Sequence, residues 1–108
     1  MELYINDTRS FQSVQYEFSE RYPFLRIDFI RPCIADSRPL LHRHRVRGAI
    51  GIRGNRTVQQ VVKDFEDIFG LSMVILRRHG SVWIETSLTV DWTLERQNRE
   101  GQNISQIA

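Results

Sequence analysis

The six apolar residues Val58, Val61, Val62, Phe65, Ile68 and Phe69 recur at a spacing of three and four, which places them on one face of a helix. A face this apolar has to be buried, so the rest of the chain must supply something to cover it. Thr57 and Gln60 have the spacing of a capping box, in which each side chain satisfies an orphan backbone N–H at the helix start. Gly70 supplies a left-handed exit. Residues 72–77 then form an apolar, β-prone run, a turn is expected at His79 and Gly80, and residues 81–90 make a second run. Two such runs around a glycine turn predict a β-hairpin.

The earlier half of the chain reads in the same order. Residues 2–5 are a short strand candidate, and Phe11, Val14, Phe18 and Tyr22 share one helical face within residues 10–22. Pro23 ends that helix. Leu25, Ile27 and Phe29 then alternate with Arg26 and Asp28, as in a half-buried strand. A shift of 47 positions lays Phe11, Val14, Phe18 and Tyr22 onto Val58, Val61, Phe65 and Phe69. It also lays Leu3 and Ile5 onto Ile50 and Ile52, and Ile27 and Phe29 onto Val74 and Leu76. A strand-helix-strand unit is thus predicted twice, as a gapless internal repeat. Two βαβ units in succession predict an α+β chain with the ferredoxin-like arrangement, here with an added C-terminal strand and short helix. The third strand, within residues 46–53, is weakened by Gly48 and Gly51. Residues 32–45, with Pro32 and Pro39, read as a long loop.

At 108 residues and 41% hydrophobic content the chain is expected to be one α+β domain over residues 1–101. Residues 91–98 predict a short helix capped by Asp91 or Thr93 and anchored by Trp92 and Leu94, with residues 102–108 frayed. Cys33 is the single cysteine, so no internal disulfide is expected. With neither a signal peptide nor an apolar run long enough to span a bilayer, the expected location is cytoplasmic and no membrane partner is assigned.

Trp83, Glu85 and Thr86, followed by Asp91, Trp92, Thr93, Leu94, Gln97 and Asn98, carry a resemblance. From Thr57 to Gly101 the chain resembles a family of small uncharacterised bacterial proteins that share a W-x-E-T strand and a D-W-T-L-x-x-Q-N tail. The shared pattern contains no catalytic signature, and it implies no activity.

Charge is the stronger functional signal. Between Arg31 and Arg56 there are seven arginines and one acid, Asp36, a surplus of six in a chain whose net charge is +2. The remainder is therefore net acidic. Arginine presents a planar fork to phosphate or carboxylate, so Arg38, Arg43, Arg45, Arg47, Arg53 and Arg56 are the candidate contacts for nucleic acid or another polyanion, including an acidic protein. Few aromatics accompany them, and the aromatic pair of the RNA-recognition motif is missing, which favours backbone contacts over base stacking.

Other residues were weighed for chemistry. His42 and His44 flank Arg43, and the single-strand nickases and relaxases use a similar histidine pair on a related sheet. Here the middle residue is arginine, no tyrosine nucleophile follows, and neighbouring arginines repel a cation, so a solvated basic loop outweighs a metal site and no metal or cofactor is assigned. Acylphosphatase is similar only in the expected architecture, because Asn6, Asp7, Thr8 and Arg9 stand where its glycine-rich loop would be. Asn6 and Arg9 are candidate anion ligands at the first helix N-terminus, set against a hydrogen-bonded turn and cap. Cys33, beside Arg31, lacks a histidine or second cysteine at diagnostic spacing. Asp64, Glu66 and Asp67 read as an exposed acidic face.

The hairpin predicts one more surface. With a turn at His79 and Gly80, Ile75 faces Ile84 and Leu76 faces Trp83. One set, either Met73, Ile75, Val82 and Ile84 or Val74, Leu76 and Trp83, lies away from the helices. It needs a cover, either the tail around Trp92 and Leu94 or a second subunit, which makes Trp83, Ile84 and Trp92 the candidate homodimer interface. Sequence therefore favours a non-enzymatic interaction module over a small metal- or anion-dependent enzyme.

Overall fold

The computed structural model describes residues 1–6, 8–30 and 47–107. Its elements are β1 (Glu2–Ile5), α1 (Phe11–Arg21), β2 (Leu25–Phe29), β3 (Gly48–Gly51), α2 (Val58–Phe69), β4 (Met73–His79), β5 (Val82–Glu85) and α3 (Leu94–Ile107), with a 3-10 turn over Ser87–Thr89. The chain is α+β. The described strands form two antiparallel sheets, β1 with β3 and β2–β4–β5, rather than the single four-stranded sheet expected of a ferredoxin-like chain. At β2 the Leu25 and Ile27 carbonyls accept hydrogen bonds from Ser19 and Gln15 of α1. That edge is occupied by a helix, so β2 has one edge left for a strand, and β4 takes it.

Both halves place equivalent residues at the centre of a sheet. Leu3 lies opposite Ile50, and Ile27 lies opposite Ile75. The helix N-caps Ser10 and Thr57 have nearly the same backbone, φ −84° and ψ 161° against φ −84° and ψ 158°. The 47-residue correspondence holds in burial through both helices, with Leu3, Ile5, Phe11, Val14, Phe18 and Tyr22 matched by Ile50, Ile52, Val58, Val61, Phe65 and Phe69. Beyond them it slips by one. The core-facing equivalents of Leu25 and Ile27 are Met73 and Ile75, 48 positions on, where the shift of 47 set Ile27 against Val74 and Phe29 against Leu76, because α2 runs one residue further before Gly70 (φ 68°) turns it out. A gapless shift therefore fails at the fourth strand.

The shared core centres on Phe18, Phe65 and Phe69, all fully buried. Phe29 bridges the halves, its ring 4.7 Å from Phe11 and 5.8 Å from Phe65. Tyr22 ties α1 to the end of the other half by donating its hydroxyl to the Ile52 carbonyl, and burial raises the phenol's pKa.

Helix α3 is the largest departure from expectation. It continues through Ile107, where sequence predicted a helix ending near Asn98 and a frayed tail. Glycine in a helix usually signals an exit, yet Gly101 is buried where α3 packs tightly against β4 and Phe24. A Cβ there would lie 3.0 Å from Phe24 Cβ, 3.1 Å from Arg77 Cγ and 3.3 Å from the Arg78 carbonyl oxygen. Farther up the helix, buried Gln97 accepts from Arg77 Nη1 at 2.9 Å and donates to the Thr89 carbonyl and hydroxyl at 2.8 and 2.7 Å. Thr93 caps the start, accepting from the Arg96 N–H.

The N-termini of α2 and α3 satisfy each other. Val58 and Gln59 N–H donate to the carbonyls of Trp92 and Val90, while Leu94 and Glu95 N–H donate to those of Arg56 and Gly54. These are donors that a helix start leaves without an intrahelical partner.

In the hairpin, His79 pairs with Val82, so the turn is Gly80–Ser81, with Gly80 at φ 67°. Arg77 faces Ile84 and Arg78 faces Trp83, a slide of two residues from the expected register. A slide of two preserves which residues share a face. The second run is also shorter than expected, because Thr86 turns inward and donates both its N–H and its hydroxyl to the Ile75 carbonyl.

Phe18→Ala and Phe65→Ala should each lower stability by about 3–5 kcal/mol in urea denaturation, since neither site is near solvent. Gly101→Ala should destabilise the protein by about 1–3 kcal/mol through overpacking, outweighing the gain in helix propensity. Thermal unfolding and amide exchange along α3 would check it.

Candidate functional site

Of the arginine-rich segment, Arg38, Arg43 and Arg45, with His42 and His44, lie outside the described residues, as does Cys33. The other three are not equivalent. Arg47 enters β3 exposed, and Arg53 is exposed in the turn after it, and neither has an ion pair among the described residues. Arg56 is committed inward. Its Nη1 donates to Asp64 at 2.6 Å and to the Gly51 carbonyl at 3.1 Å, tying the segment before α2 to α2 and to β3. Arg56 thus serves as an internal tie through Nη1, with its side chain still 27% exposed. The acidic face of α2 is correspondingly less free than the sequence suggests, since Lys63 also pairs with Asp67 at 3.0 Å.

Arg47 opens onto a shallow cleft of about 560 Å³ at the end of the β1–β3 pair, lined also by Tyr4, Ile5, Asn6, Thr8, Gly48 and Ala49. Asn6 and Arg9 are both engaged in the turn that leads into α1. Asn6 Oδ1 accepts from the N–H groups of Thr8 and Arg9 and from the Thr8 hydroxyl, forming the turn before α1. Arg9 spreads its guanidinium over the Tyr4 and Ser13 carbonyls, the Ser13 hydroxyl and the Glu17 carboxylate. Four of its five N–H donors are used in these bonds, which commits most of the fork to the turn and to α1.

The two tryptophans lie on different sides of the β2–β4–β5 sheet, because adjacent residues of β4 point to opposite faces. Arg78 places its guanidinium 5.5 Å from the Trp83 ring, and Arg26 places a second at 5.7 Å. On the other side, Arg77 lies 5.5 Å and Arg96 3.8 Å from Trp92. Trp92 is thus part of the docking of α3 and does not share a surface with Trp83. The helices lie on the face of Leu25, Ile27, Met73 and Ile75. The opposite face carries Val74, Leu76 and Trp83, half-buried, flanked by Arg26 and Arg78. Tail and open face are separate, so α3 is not the cover that sequence offered. The sequence also gave no weight to Arg26, Arg77 and Arg78, although the alternation along β4 was a signal that its two arginines would part to opposite sides.

Among the described residues, no group of three or more histidine, cysteine, aspartate or glutamate side chains is placed to hold a metal. Compared with protein-family models, with curated proteins and with solved structures, the chain matches none.

The division between free and committed arginines is measurable. Arg56→Gln should lower stability by about 1 kcal/mol, a figure reduced for partial solvent screening of the ion pair. Arg47→Gln and Arg53→Gln should leave the unfolding midpoint within about 0.5 kcal/mol of wild type.

Proposed function

We propose that the protein is a non-enzymatic interaction module that binds a polyanion, with nucleic acid as the favoured class, through Arg38, Arg43, Arg45, Arg47 and Arg53. The observation that carries this reading is the surplus of six positive charges between Arg31 and Arg56, in a chain that is otherwise net acidic. Arg47 and Arg53 support it, because both are exposed and free of ion pairs among the described residues. An acidic protein surface offers carboxylates to the same forks and is the competing ligand class. In this reading the two βαβ halves are a structural repeat that serves as scaffold, the chain works in the cytoplasm, and it is related to the bacterial family whose W-x-E-T and D-W-T-L-x-x-Q-N patterns it resembles. No helix among the described residues is long and apolar enough to cross a membrane.

Phosphate contacts release condensed counterions, so log affinity should fall linearly with log salt, more steeply the more contacts are made. Fluorescence anisotropy with labelled single- and double-stranded oligonucleotides should show binding that weakens in this way. Replacing Arg43, Arg45 and Arg47 with glutamine should flatten the slope and weaken all sequences alike, because backbone contacts carry no base information. Binding to a polyglutamate peptide in preference to both oligonucleotides would favour the acidic-protein class. Absence of binding to any of these at low salt would refute the proposal.

A further inference from the structure

The two edges of the β2–β4–β5 sheet are treated differently. On β2, Gln15 and Ser19 of α1 occupy the outward carbonyls. On β5 nothing comparable is present among the described residues. The alternation of an antiparallel ladder fixes which groups are free there. Arg78 N–H donates to the Phe24 carbonyl, toward β2, and Thr86 N–H donates to the Ile75 carbonyl, toward β5. Odd-numbered residues of β4 therefore bond even-numbered residues of β5. Trp83 and Glu85 are left with backbone N–H and C=O directed outward, and no described residue bonds to them.

Natural edge strands are usually blunted by lysine, proline or a bulge. β5 has no lysine, proline or bulge, and its one charge is Glu85. Its sequence is Val82, Trp83, Ile84 and Glu85, Val82 is 52% exposed, and Leu88 in the following 3-10 turn is 96% exposed.

We propose that β5 pairs antiparallel with β5 of a second copy of this chain, joining two three-stranded sheets into one. The argument for a second copy lies in self-complementarity. A two-fold axis perpendicular to the sheet keeps each face on its own side, so odd residues must lie opposite odd ones. A register centred on Ile84 sets Trp83 opposite Glu85 of the second copy, twice, and uses all the outward groups of both strands in about four backbone hydrogen bonds. A register centred on Trp83 would pair only one such set. In the Ile84 register, Arg78 lies across one flank of Trp83 and Glu85 of the second copy arrives at the other, so opposite charges bracket each indole. On the reverse face Ile84 meets Ile84. The assembly closes at two, because the far edge of each sheet is already covered by α1. Polyanion binding plays no part in this geometry.

Sedimentation velocity from micromolar to near-millimolar protein should show a reversible monomer–dimer equilibrium. Glu85→Pro removes an outward-facing N–H and leaves the β4–β5 bonds in place, so it should give a monomer with an unchanged far-UV spectrum. Ile84→Glu and Ile84→Lys should each weaken the dimer at least tenfold by setting like charges directly opposite each other, and an equal mixture of the two variants should restore pairing. Wild-type amide exchange at Trp83 and Glu85 should slow as concentration rises, a readout that holds even if Glu85→Pro fails to fold. A wild-type monomer at near-millimolar concentration would overturn the proposal. So would a dimer that survives both single charge changes, or one with no concentration-dependent protection at Trp83.

Discussion

Strand β4 is the constraint on which the molecule depends. Among the described strands of its sheet it alone has neighbours on both edges, β2 on one side and β5 on the other, and it packs against α2 and α3. Its alternating geometry separates Met73 and Ile75, which close the core under the helices, from Val74 and Leu76 on the opposite face. At its far end the same alternation sends Arg77 toward α3 and Arg78 toward the open face. One aims at Trp92 and Gln97, the other at Trp83. A one-residue slip of β4 would exchange all of these at once, exposing the core set and burying Val74 and Leu76.

Polar groups decide much of the architecture that apolar burial leaves open. Hydrophobic contact is non-directional, so it can gather two amphipathic helices and several strands without saying which strand borders which. Here Gln15 and Ser19 occupy one edge of β2, Thr86 ends β5 on the Ile75 carbonyl, and the starts of α2 and α3 exchange backbone bonds. The Arg77–Gln97–Thr89 chain then fixes α3 in place. Each removes orphan donors or acceptors that would otherwise disfavour burial. Two sheets around a common core are the result.

Arginine plays two roles that composition cannot distinguish. Arg9 and Arg56 bridge backbone carbonyls to carboxylates and act as internal ties, while Arg26, Arg77, Arg78 and Arg96 lie on tryptophan rings. Arg47 and Arg53 are exposed and have no ion pair among the described residues. A guanidinium offers five donors in one plane and a flat face for stacking, so the same residue type serves in all these settings. Counting arginines in a segment therefore overstates its free charge, as Arg56 shows.

Periodicity determined both amphipathic helices, the cap at Thr57, the strands β1, β2 and β4, and the α+β class, because these follow from local spacing and from side chains that reach their own helix ends. The hairpin and the pairs of residues that share its faces were legible as well, although the turn lay at Gly80–Ser81. Tertiary structure alone decided the pairing of β2 with β4, the extension of α3 past Gly101, and the separation of Trp92 from Trp83. Gly101 illustrates the reason. By sequence alone it carries the usual signature of a helix end, and only the nearness of Phe24 and Arg77, far away in sequence, turns it into a tight contact where an added Cβ would crowd its neighbours. Local spacing fixes which face of an element is apolar; which element covers that face depends on contacts between residues that sequence distance does not relate.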